Sequence, residues 1–151
     1  MDLSTFGAIM GLAAEITEQT EEIYKTLAQK AKGSTLREVL QVLSVEEGKS
    51  HSLMERTRRE NVTEMILEPI TGLRQEDYGI DLKVVDPMED PDLLRAALIL
   101  EEREKKFFND VSIKVPLPEV ARIFRKMVQK KQENVTKLQS LALDQTLKRR
   151  T

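Results

Sequence analysis

Sliding the second half of the chain onto the first by eighty-four residues superposes their apolar positions without a gap. Met10 falls on Leu94, Ala13 on Ala97, Ile16 on Leu100, Tyr24 on Phe108 and Leu27 on Val111. The same shift places Leu36 on Val120, Val39 on Ile123, Leu40 on Phe124, Leu43 on Met127 and Met54 on Leu138. In each stretch the spacing is i, i+3, i+4, i+7, the period of an amphipathic helix. A single offset that serves two helices and the link between them implies two equivalent helical hairpins. The expected fold class is therefore all-α, a four-helix bundle with a long crossover between its pairs, and 151 residues suit one domain.

Local signals set the boundaries: a first hairpin over 4–60, a crossover over 61–90 and a second hairpin over 91–146. Helix 1 is expected from Ser4 or Thr5 to Lys32, where Gly33 ends it. Thr35 with Glu38 three residues on reads as a capping box for helix 2, which continues to about Glu60. Pro69, Gly72, Gly79 and Pro87 break the crossover into a short helix over 63–67 and an extended piece over 80–85. Asp90 before Pro91 reads as the cap of helix 3, which runs to about Val111, and Pro118 starts helix 4. The basic tail after residue 146 suits the negative end of a helix dipole.

Aromatic residues make up 4% of the chain and tryptophan is absent, so the core must be aliphatic, which favours helix packed on helix. Charged residues reach 33% at a net charge of −2, which suits solvated helix faces and argues against a nucleic-acid surface. Without cysteine, disulfides and iron–sulfur clusters are excluded, and His51 is the sole imidazole that a metal could use. The N-terminal stretch lacks a basic leader and no apolar run reaches membrane-spanning length, so the expected location is cytoplasmic, away from membranes.

The apolar stripe of helix 2 carries Leu36, Val39, Leu40, Leu43 and Met54, but also Glu47 and Ser50. A carboxylate on a buried stripe needs a cation, a metal or good hydrogen bonds, because removing an ion from water costs several kcal/mol.

The residues around that carboxylate resemble a known family. Ala97, Glu101 and Phe108 resemble the first helix of a rubrerythrin-type hairpin of the ferritin-like superfamily, and Leu40, Leu43-Ser44 and Glu47-x-x-Ser50 resemble the second. The resemblance implies a ferritin-like bundle and, in members with an intact site, oxygen, peroxide or iron chemistry at two irons. In the family each hairpin supplies one Glu and one Glu-x-x-His. Carried over by position, the first hairpin offers Thr17, Glu47 and Ser50, and the second offers Glu101, Lys131 and Asn134. Only Glu47 and Glu101 keep the ligand type.

Two arrangements fit this pattern. Lys131 can lie between Glu47 and Glu101, with Thr17, Ser50 and Asn134 supplying hydrogen bonds, or it can snorkel to water while Glu47 sits at a wet edge. The first reading makes the protein a structural or interaction protein that has lost its diiron centre, works as no enzyme, carries no cofactor and forms a homodimer, with room for a further protein partner. A second class keeps a rearranged iron or manganese site for an oxidoreductase or peroxidase, using Glu47, Glu101, His51 and Glu18, reached through a π-bulge near Gly48. Tyr24 and Phe108 either pack the core or line such a site. A third class, a small-molecule binding module, would use the crossover, where the turn at Asp77, Tyr78 and Gly79 and the run over 82–85 could cover a pocket.

Overall fold

The computed structural model describes residue 3, residues 5–61 and residues 70–150, with the side chains of the last helix up to residue 144. Four helices follow in chain order: α1 (Phe6–Lys30), α2 (Ser34–Glu60), α3 (Asp90–Lys114) and α4 (Pro118–Arg150). A short 3-10 helix, Gln75–Tyr78, lies in the crossover. α1 packs chiefly on α2 and α3 on α4, which makes two hairpins. No strand occurs among the described residues, so the piece expected to be extended over 80–85 is irregular chain. The short helix expected over 63–67 lies outside the described residues. Among the described residues no helix is long and apolar enough to cross a membrane.

The helix ends follow local chemistry, with three corrections. Thr5 caps α1, its Oγ1 accepting from the Ala8 N–H at 3.0 Å. α1 stops at Lys30, before Lys32, because the N–H groups of Lys32 and Gly33 turn outward to the Asp90 carboxylate, each at 2.9 Å. Gly33 rather than Thr35 holds the N-cap position of α2, and no side-chain capping box forms there. Asp90, being committed to that link, does not cap α3. Glu89 takes the position, and its N–H donates to the Asp92 carboxylate at 3.1 Å. One carboxylate from the start of the second hairpin thus clamps the turn of the first. α3 runs on to Lys114 and stops where Val115, preceding Pro116, must be extended.

Hydrogen bonds tie the first half of the described crossover to the rest of the chain. Leu3 donates to the Leu73 carbonyl at 2.9 Å. The Tyr78 hydroxyl donates to Asp110 on α3 at 2.7 Å, while its ring meets Phe107 edge-on at 4.9 Å.

The buried interior has two apolar ends with a polar layer between them. One end holds Phe6, Ile9, Met10, Phe107, Phe108 and Phe124; the other holds Tyr24, Leu27, Leu40, Leu93, Leu100 and Leu138. Between the two groups each helix contributes buried polar side chains: Thr17 and Thr20 from α1, Ser44 and Glu47 from α2, Glu101 and Glu104 from α3, and Lys131 and Asn134 from α4. Each pair lies three residues apart on its own core stripe, so a single turn of every helix forms the layer.

Candidate functional site

Lys131 stands at the centre of this layer, 3% exposed, with Glu47, Glu101 and Glu104 each fully buried around it. Its Nζ donates to Glu47 Oε1 at 2.5 Å and to Glu101 Oε2 at 2.8 Å. Glu104 Oε2 also lies 2.8 Å from Nζ, as an ion pair outside hydrogen-bonding angles. Asn134 Nδ2 donates to the other Glu101 oxygen at 2.6 Å and, at 3.2 Å, to half-buried Glu46. Glu47 and Lys131 are equivalent positions of the internal repeat, and they bond directly to one another. One repeat position of each hairpin therefore meets the other in this ion pair.

Electrostatics follows from burial. Desolvation works against the charged form of Lys131, but Glu104, Glu47 and Glu101 together outweigh it and hold the amine well above its usual range. It is an ammonium ion at neutral pH. Burial, reinforced by the neighbouring Glu104, pushes Glu47 well above the usual carboxylate range despite Lys131. Burial likewise raises Glu101, with Lys131 and Asn134 opposing. The Tyr24 hydroxyl, raised by burial and by Glu101, donates to the Ala97 carbonyl at 3.4 Å. Three ionised carboxylates against one ammonium would leave negative charge in excess, which the upward shift of Glu47 relieves by favouring its protonated form, and Arg103 supplies a second cation nearby. Arg103 donates to Thr20 Oγ1 at 3.0 Å and to the Tyr78 carbonyl at 3.4 Å, and burial lowers its pKa while Glu104 and Glu47 oppose that shift.

The residues singled out in the sequence separate into two groups. Glu47, Glu101, Lys131 and Asn134 meet. Thr17 is buried but turns its hydroxyl back to the Ala13 and Ala14 carbonyls at 2.9 and 3.0 Å, so it gives the cluster nothing. Ser50 is half-buried and takes no hydrogen bond from the cluster. His51 turns away, its Nδ1 lying 2.9 Å from the Ala14 carbonyl of α1, and Glu18 is exposed. α2 is regular throughout Ser34–Glu60, so no bulge at Gly48 swings His51 inward; Gly48 instead leaves room for the Glu21 carboxylate. Phe108 packs among aromatic rings, 5.8 Å from Phe107 and 5.7 Å from Phe124.

Glu104 is the member that the sequence reading missed. The signal was present: it follows Glu101 by three residues on the same stripe and occupies the repeat position of Thr20. Glu47, Glu101 and Glu104 bring carboxylate oxygens within 4.8 Å of one another, a spacing that a metal ion could bridge. The ammonium occupies the point that such an ion would need.

No family model matches the sequence, and no curated protein matches it. Among solved structures the chain is similar to a hypothetical protein from Pyrococcus furiosus, at a TM-score of 0.69 and 23% identity over 90% of this chain and 89% of that one. At that identity the likeness carries the fold alone. It shows that this arrangement of four helices recurs in a second protein.

A separate groove of about 680 Å³ opens where the crossover passes over α3, lined by Gly79, Ile80, Asp81, Leu98, Ile99 and Arg103 among others. The turn at Asp77 and Gly79 borders it, but residues 82–85 do not; Val84 and Val85 face solvent instead.

Proposed function

We propose that this protein is a ferritin-like, rubrerythrin-related bundle in which a lysine has replaced the metals, leaving a non-enzymatic structural or interaction protein. The observation that carries the reading is the Lys131 ammonium, 2.5 to 2.8 Å from three buried carboxylates at the middle of the bundle. The donors do not fit a two-iron centre. Two ferrous ions need several anionic ligands, and here the repeat positions provide a threonine turned to its own backbone, a serine, an asparagine and a cation. The ammonium neutralises charge that the metals would otherwise neutralise, and it does so without redox chemistry. A bundle held this way keeps its shape and offers its outer helix faces to partners.

The rival is an iron- or manganese-handling oxidoreductase, and one observation favours it: the three mutually close carboxylates. Its ligands would be Glu47, Glu101 and Glu104, not His51 or Glu18, and a metal would have to displace an amine that stays charged at neutral pH. Metal analysis after incubation with ferrous and manganous ions separates the two readings. Protein that stays metal-free supports the lysine-for-metal reading; near-stoichiometric metal that is lost in Glu101→Ala overturns it.

A further inference from the structure

We propose that α2 is the centre of a two-fold dimer interface, a second copy of the chain docking antiparallel on the stripe Glu38, Val42, Val45 and Lys49. At 3.6 residues per turn these side chains share an arc of roughly 60° on the outer face of the helix. Val42 is 54% and Val45 59% exposed, two β-branched apolar residues one turn apart where a solvated helix face would carry polar groups. They form a ridge between two grooves. The groove on the α4 side, about 180 Å³, is bordered by Val42 and Lys137; that on the α1 side, about 500 Å³, by Val45 and Ala28. Ridges of one helix seat in grooves of another, which is how packed helices meet.

The charges select the orientation. Glu38 and Lys49 are exposed, and among the described residues neither side chain takes part in an ion pair or hydrogen bond. A two-fold axis passing between residues 43 and 44 sets Val42 against the partner's Val45 and Glu38 against the partner's Lys49. Symmetry repeats both contacts, giving an apolar centre flanked by two opposite-charge pairs about 8 Å from the axis along each helix. The same arrangement sets Thr35 beside the partner's Ser52. A parallel pairing would instead oppose Glu38 to Glu38 and Lys49 to Lys49, which like-charge repulsion disfavours.

This inference deepens the interaction-protein reading but does not depend on what fills the core. Sedimentation equilibrium on the full chain, from about 1 to 100 µM, tests it. Wild-type protein should be dimeric. Val45→Glu should raise the dimer dissociation constant about tenfold or more with unchanged helical circular dichroism. Glu38→Lys should weaken the dimer, and the double variant Glu38→Lys/Lys49→Glu should restore it to within a few-fold. A monomeric wild type, a dimer indifferent to Val45→Glu, or a double swap no better than Glu38→Lys would each overturn the proposal. Metal content measured on the same samples judges the core separately: a metal-loaded dimer sinks the lysine-for-metal reading alone, and a metal-free monomer sinks this interface alone.

Discussion

Replacing Lys131 with methionine probes the centre of the molecule with little change in volume, since methionine fills most of the space of the lysine stem. What it removes is the ammonium between Glu47, Glu101 and Glu104. Breaking a buried ion pair on one side typically costs about 3–5 kcal/mol. Here the loss has a natural ceiling, because a carboxylate can take up a proton in place of the ammonium. Against an ordinary value of 4.5 for glutamate, that proton costs about 3.4 kcal/mol at pH 7 but only about 0.7 kcal/mol at pH 5. The destabilisation of Lys131→Met should therefore shrink by about 2.7 kcal/mol between those pH values. Urea unfolding followed by far-UV circular dichroism, run on both proteins at each pH, measures it. A surface lysine would show a loss under about 0.5 kcal/mol with no pH dependence. That result would place the amine in water and remove the basis of the lysine-for-metal reading.

Glu47→Gln mimics the protonated side chain. The folded state holds Glu47 above its unfolded value, so this group's contribution is most favourable at low pH and is lost as pH rises through the unfolded and then the folded value. The variant should match or exceed wild-type stability at neutral pH and flatten the decline above about pH 4.5, read from denaturation midpoints across pH. In Lys131→Ala the three carboxylates lose their cation, so millimolar manganese should raise the thermal midpoint of this variant and leave that of the wild type unchanged, a mass-action effect visible by calorimetry. Tyr78→Phe deletes the hydroxyl that donates to Asp110 at 2.7 Å, and an equilibrium unfolding loss of about 1–2 kcal/mol is expected. Asp90→Ala frees the N–H groups of Lys32 and Gly33 together and should cost a similar amount, with faster amide exchange at those two positions as its local sign.

Much of the fold can be read from the chain because helix periodicity is local. Apolar spacing, the cap at Thr5, the proline starting α4 and the eighty-four-residue repeat each act within a few residues or by simple offset, and together they determine four helices in two hairpins. They also place Glu47 and Glu101 on inward stripes. Tertiary structure decided what those stripes meet. Whether the long lysine stem at Lys131 points inward depends on how far apart the four helices stand, which no single helix encodes. Once it does, Glu104 is drawn into the same cluster by an ion pair at 2.8 Å. His51 was decided the same way: on a regular α2 it falls to the side of the stripe and meets the Ala14 carbonyl of α1. Asp90 reads locally as the cap of its own helix, yet it serves the neighbouring hairpin, because two unpaired backbone N–H groups arrive there only after the hairpins have packed.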